Sequence, residues 1–275
     1  MIFVPASVSC IFSPSYGKDA KSSGSIGVGF TLDLGIFAEI SENILFNQRT
    51  IDFPTVNYVL KKTGLKGVNI KSQLPLGCGF GISGASALAA ALLSEKFSYI
   101  EAADLAHEAE VANLTGLGDV GNQTFGGVVV RKNAACPSAL SFEKFYFDVE
   151  LDFLVIGELS TKEVLKENRS EIKNEGRIWT KEFLKKPTLE NLFHCSYQFA
   201  NRTGLIEYVD DVVEAVISSG GLASMIMLGK SVFAYKGFEA LSEFGRPFKA
   251  KISCCGVRWV EGCSNSKQIG GFAER

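Results

Sequence analysis

The amino-acid sequence predicts an α+β chain of two linked domains, and three observations carry that reading. Its 275 residues suffice for a large core or two medium ones. The first half mixes short β-branched and aromatic runs with Gly, Ser and Asn punctuation, interrupted by two helical patterns. In the second half, charged helical stretches alternate with short apolar runs. The composition shifts around Pro137, so the division is placed at 1–145 and 146–275.

In chain order, residues 3–12, 27–40 and 66–74 read as strands. The segment from Ser86, SALAAALLSEKF, and the Glu- and Ala-rich segment EAADLAHEAEVAN read as helices. LTGLGDVGNQTFGGVVVR then reads as a glycine-rich loop running into a strand. DFLVIGELS is a strand, and residues 161–186 form one or two charged helices. Residues 206–221 carry apolar side chains at helical spacing and end on a glycine pair suited to a C-cap. LASMIML is a short buried strand, GFEALSEFG a short helix and PFKAKISCCGV a final strand.

Composition narrows the function classes. A net charge of -2 with scattered Lys and Arg offers no basic patch for nucleic acid or an anionic membrane. MIFVPASVSCIF is apolar but lacks a basic leader and is broken by Pro5, so it reads as a first strand and not a signal peptide. No apolar run is long enough to span a bilayer. The seven cysteines (10, 78, 136, 195, 254, 255 and 263) are odd in number and form no CxxC, which suits reduced thiols in a cytoplasm. With only His107 and His194, a His-rich metal site is not expected.

The segment PLGCGFGISGASA runs straight into LAAALL, and a helix needs no such series of glycines to begin. Helix N-termini present unpaired N–H groups and the positive end of a dipole, which together favour an anion. Gly77, Gly79, Gly81 and Gly84 let a backbone approach a phosphate closely, and Ser83 adds a hydroxyl for phosphate or Mg²⁺. The plainer alternative is a tight strand-to-helix turn capped by Ser83. Gly229-Lys230-Ser231 imitates a P-loop, but that motif requires glycine where Ser224 stands. Downstream, Glu108 and Glu110 end a helix and Asp119 follows between glycines. Such carboxylates could hold Mg²⁺ or accept a proton from an attacking hydroxyl, or simply face solvent and start a turn.

Together these residues resemble the GHMP kinases, the superfamily of galactokinase, homoserine kinase and mevalonate kinase. Its motif Pro-x-x-x-Gly-Leu-Gly-Ser-Ser-Ala is met by Pro75 to Ala85, with Phe80, Ile82 and Gly84 as departures. Within the superfamily the chain is most similar to the archaeal pantoate kinase family. The similarity rests on Gly79-Phe80-Gly81-Ile82-Ser83-Gly84-Ala85, Ala106-His107-Glu108-Ala109-Glu110-Val111 and Thr115-Gly116-Leu117-Gly118-Asp119-Val120, with Gln123, Gly126, Gly127 and Arg131. Ala6-Ser7 stands where that family has Gly-His, and Ile26 where it has arginine.

The resemblance implies a GHMP kinase fold, with an N-terminal domain like domain 2 of ribosomal protein S5 and a ferredoxin-like C-terminal domain. It implies ATP on residues Gly79, Phe80, Gly81, Ile82, Ser83, Gly84 and Ala85, Mg²⁺ held by Ser83 and Glu110, and Asp119 as the catalytic base. Ser9 and Arg131 are candidates for the acceptor, with Lys18 and Lys21 as other cations near the altered loop. The implied reaction phosphorylates the primary hydroxyl of pantoate, a small-molecule partner. Another hydroxy acid or mevalonate-type acceptor, and a nucleotide-binding sensor without turnover, stand as alternatives, and a homodimer is left open.

Overall fold

The computed structural model describes residues 1–159 and 169–260. The start of the charged helix expected from Thr161, and Cys263, lie outside them. Along the chain come β1 (Ile2–Ser15), β2 (Gly24–Ser41), β3 (Leu45–Phe46), β4 (Arg49–Thr50), α1 (Pro54–Thr63) and β5 (Gly67–Ser72). Then follow α2 (Ile82–Leu93), α3 (Tyr99–Asn113), α4 (Asp119–Phe125), β6 (Val128–Arg131), β7 (Phe142–Phe145) and β8 (Glu150–Gly157). The rest is α5 (Arg169–Lys185), α6 (Leu189–Arg202), α7 (Asp210–Ser218), β9 (Leu222–Met225), β10 (Lys230–Tyr235), α8 (Phe238–Ser242), β11 (Phe248–Lys251) and β12 (Arg258–Trp259).

Among the described residues the strands form two sheets. The first, eight-stranded, runs β12-β1-β2-β5-β3-β4, with β6 added on β2 and β7 on β6. The second is antiparallel with order β11-β8-β10-β9. Its strands therefore lie fourth, first, third, second by sequence, with helices in the first and last crossovers, which is the ferredoxin-like arrangement. The chain leaves the first sheet after Phe145 and enters the second at Glu150. It then returns, since Ser253 N–H donates to the Thr31 carbonyl and β12 pairs with β1. The final strand expected over 247–257 is thus shorter, and its far end serves the other sheet.

Phenylalanines join the two halves into one continuous core. Phe30 meets Phe233 edge-on at 5.6 Å, Phe12 meets Phe199 at 5.4 Å, and Phe80 packs against the stacked pair Phe153 and Phe248. Helix α2 buries ten of its twelve residues, so it has no polar face, and its alanines let neighbours close in around it.

Three helices depart from the sequence reading. α1 begins on Pro54 and ends on a left-handed Gly64, local signals that the strand-rich surroundings obscure. α6 buries Leu192, Phe193, Ser196, Phe199 and Ala200, an i, i+3, i+4 pattern legible once sought. α4 replaces the expected loop, so Asp119 opens a helix and its side chain is held by a backbone of fixed direction.

β1 and β2 prepare the site. Their register slips between Pro5 and Ser7 and again between Ser9 and Ile11, so bulges bracket Ser7 and Ser9. The two serines are two residues apart and share a face. Bulges beside a site re-aim side chains, and here both hydroxyls reach one carboxylate.

Candidate active site

The glycine loop ends at Gly81, which caps α2 in the left-handed conformation (φ 62°) without any side-chain cap. Ser83 is therefore not the cap of a plain turn. It sits within the first helical turn and donates to Glu110 Oε1 at 2.5 Å. Because that bond uses its only proton, the 3.2 Å contact with Thr55 Oγ1 has Thr55 as donor. Gly81 also leaves room for α4: a methyl group there would lie 3.0 Å from the Asp119 side chain and from Gln123 Nε2. Gln123 Nε2 donates to the Gly81 carbonyl at 2.7 Å, so α4 is tied directly to the loop.

Glu110 is 2% exposed, near the end of α3. Burial pushes its carboxyl up to about 7; the donors Ser83 and Thr115 counter this, while the Asp119 charge adds to it. The Thr115 bond, 2.8 Å to the same Oε1, follows from the left-handed turn at Leu114 that ends the helix. Glu108, by contrast, accepts from Tyr58 at 2.6 Å and stays outside the site.

Asp119 Oδ1 accepts from Ser7 at 2.9 Å and from Ser9 at 3.3 Å. Burial raises its pKa, while Ser7, the Arg131 charge and Ser9 hold it down. Asn122, one turn along α4, donates Nδ2 to Ser7 Oγ at 2.9 Å and accepts from Arg131 Nη1 through Oδ1. The order of donors is thereby set: Arg131 fixes the amide, the amide fills a lone pair of Ser7, and the Ser7 proton is directed at Asp119. Sequence reading missed Ser7 and Asn122 as site residues, because their role depends on the bulge and on the helix.

Arg131 is 1% exposed, and Nε donates to the Ser25 carbonyl at 3.0 Å. Burial lowers its pKa to about 10, with the Asp119 charge pulling it back up, so it stays a cation at neutral pH. Its Nη2 has no hydrogen-bond partner although it is buried. Lys18 and Lys21 are exposed and line neither cavity described below.

Two cavities meet here. The larger, about 340 Å³, is lined by Gly77, Gly79, Gly81, Ile82, Ser83 and Glu110 along one side, with Phe53, Pro54, Leu76 and Leu159 beyond. The smaller holds about 20 Å³ and contains Ser9, Ser25 and Arg131. Asp119, Leu114 and Leu228 line both. Three residues expected at the nucleotide do not line the larger cavity. Phe80 is turned into the core against Phe153 and Phe248, and its carbonyl accepts from Ser7 N–H. Ala85 is fully buried with its N–H bonded to Gly81, and the bare face of Gly84 is filled by Val120, Gln123 and Glu110.

A glycine-bounded helix N-terminus, a hydroxyl–carboxylate pair and a second carboxylate between two cavities are the parts that phosphoryl transfer requires. Residues 50–127, which contain all of these, match the family described as GHMP kinases N terminal domain. The chain is 33% identical over 269 residues to the pantoate kinase of Methanocaldococcus jannaschii, covering 92% of this chain and 98% of the relative. It is 32% identical to the pantoate kinase of Thermococcus kodakarensis, covering 90% and 93%. A solved structure described as a phosphotransferase related to the CoA biosynthesis pathway superposes with a TM-score of 0.82 at 30% identity, covering 94% of this chain and 98% of that one. The chain belongs to the GHMP kinase family and groups there with the pantoate kinases. Among the described residues no helix is long and apolar enough to cross a membrane.

Proposed function

We propose that the protein transfers the γ-phosphoryl group of ATP to the primary hydroxyl of (R)-pantoate, giving 4-phosphopantoate for coenzyme A synthesis. The observation that carries this reading is Asp119 at the junction of a nucleotide-sized cleft and a small cavity holding a buried arginine. ATP phosphates lie against Gly79, Gly81 and Ser83, where the α2 N–H groups and dipole offset their charge. The oxygen donors of Ser83 and Glu110 fit Mg²⁺, which needs only one or two carboxylates beside phosphate oxygens. Among the described residues no cluster of three or more His, Cys, Asp or Glu stands ready for a metal. Bound there, Mg²⁺ supplies charge neutralisation on the phosphates.

The remaining work belongs to the chain. Arg131 Nη2 pairs with the acceptor carboxylate, assisted by Ser9. Asp119 orients the hydroxyl; since both serines occupy Oδ1, Oδ2 takes the proton as the acceptor oxygen bonds to phosphorus and the β–γ bridging bond breaks toward ADP. Such transfer asks for positioning and electrostatics more than covalent chemistry. We place the domain division at 145/146 and the protein in the cytoplasm; free thiols at all six described cysteines support the latter.

The test is ADP release from Mg-ATP by the purified protein with (R)-pantoate, mevalonate, homoserine, galactose or no acceptor. Turnover dependent on pantoate is expected. Turnover only with another acceptor would move the substrate, and tight ATP binding without turnover would favour a sensor.

A further inference from the structure

Two leucines hold backbone conformations that ordinarily belong to glycine. Leu114 has φ 56° and Leu228 has φ 65°. Their side chains are disfavoured there, and Gly or Asn is the usual occupant. Each is locked by its neighbours. The Leu114 N–H donates to the carbonyls of Glu110 and Val111, and the next residue, Thr115, is bonded to Glu110. Leu228 stands between Met227, whose N–H donates to the Ser9 carbonyl, and Gly229, which is pressed against the Cys78 carbonyl. Residues held in sparsely populated conformations cluster where function needs them.

Both leucines line both cavities, flanking Asp119. They come from opposite halves of the fold, Leu114 from the end of α3 and Leu228 from the turn between β9 and β10. They therefore form an apolar doorway at the point where the acceptor hydroxyl must meet the nucleotide. The small cavity has room for about one water, so an acceptor enters only if side chains at this doorway swing. Leu114 is 47% exposed and has space to do so.

We propose that Leu114 and Leu228 are specificity-determining residues that grip a quaternary, dimethyl-substituted carbon next to the reacting carbinol; the inference rests on the pantoate reading. In a 2,4-dihydroxy acid the carboxylate lies at one end and the phosphorylated oxygen at the other. With the carboxylate at Arg131 and the hydroxyl at Asp119, the carbon beside the carbinol falls at the doorway. Two methyl groups there find two aliphatic side chains. One missing methylene in an apolar pocket changes kcat/KM by roughly 10- to 200-fold.

The test compares kcat/KM for (R)-pantoate and for 2,4-dihydroxybutanoate, which lacks both methyls, in the wild type and in Leu114→Gly and Leu228→Gly. Glycine suits both backbones, so melting temperatures are expected to hold. Leu114→Asn and Leu228→Asn, which also tolerate the left-handed conformation, serve as second variants should either glycine variant fold poorly. The wild type is expected to prefer pantoate by about 100-fold. Each variant should reduce that ratio at least tenfold through a higher KM for pantoate. An unchanged ratio in folded variants, with pantoate still turned over by the wild type, overturns the leucine assignment alone. A wild type that turns over pantoate without preferring it to 2,4-dihydroxybutanoate likewise overturns the leucine assignment alone, and a wild type that does not turn over pantoate overturns the pantoate reading on which it rests.

Discussion

Glu110→Gln should raise thermal stability at pH 8 while it abolishes kinase turnover. Burial raises the Glu110 carboxyl from its ordinary 4.5 to about 7. Between those values the folded protein binds a proton that the unfolded chain has released, so stability falls as pH rises. The stabilising contribution is fully present below pH 4.5 and gone above about pH 7. At about 1.36 kcal/mol per pKa unit the whole effect comes to about 3 kcal/mol. For a chain of this size that corresponds to roughly 6–12 °C in Tm. Glutamine keeps an oxygen for the Ser83 and Thr115 donors and cannot ionise. The assay is Tm by calorimetry from pH 4.5 to 8.5 for wild type and variant without nucleotide. The difference between the two curves should open as pH rises and level off above pH 7. Equal slopes for both proteins over this range would refute the assignment of a buried, raised carboxyl to Glu110.

Ser7→Ala removes the strongest donor to Asp119, so its pKa should rise further and the acid limb of kcat should move to higher pH, while Ser7→Thr restores it. An unmoved limb in folded Ser7→Ala would exclude the relay through Ser7. Gly81→Ala forces a side chain into the left-handed region and toward Asp119; it should cost about 1–2 kcal/mol in urea denaturation and lower kcat more than it raises the KM for ATP. Arg131→Lys loses the fork that serves Asn122 and Ser25 together, and steady-state kinetics should show the acceptor KM rising at least tenfold, about the 1.4 kcal/mol of one weakened charge-assisted bond. Asp119→Ala and Ser83→Ala should each remove most ADP release while circular dichroism stays that of the wild type.

The residues of the site were legible where a motif is local. Gly81 and Ser83 lie in one short stretch, and Asp119 follows Glu110 within ten residues, so spacing alone brings them forward. Contacts between distant segments were not legible. Ser7 and Asn122 are 115 residues apart in sequence and meet only because a bulge turns one and a helix carries the other. Phe80 sits in the middle of the glycine motif, yet its ring serves the interface between the sheets, and no spacing rule separates those roles. The same holds for the glycine-rich stretch after Leu114. Its composition argues for a loop, while Asn122 and Gln123, bonded to Arg131 and Gly81, hold Asp119–Phe125 as a helix.

The two departures from the pantoate kinase pattern acquire distinct meanings. Ile26 removes a cation from β2, and the exposed Lys18 and Lys21 do not replace it in either cavity. The positive charge inside the small cavity is Arg131, whose Nη2 is buried without a partner. Leaving a buried charged donor unsatisfied costs a protein more than the average hydrogen bond contributes, so the folded state tolerates it only with other support. That support is visible: Asn122 and the Ser25 carbonyl orient the guanidinium, and the Asp119 charge offsets its desolvation. An acceptor carboxylate would complete the set. Ser7, by contrast, donates to Asp119 and not to the arginine, so its presence where the family has histidine acts on the proposed base. A neutral hydroxyl cannot add the charge an imidazolium would bring, and burial then leaves the Asp119 carboxyl above its usual range. A base raised in this way is a better proton acceptor once ionised, at the expense of a working range that begins at higher pH.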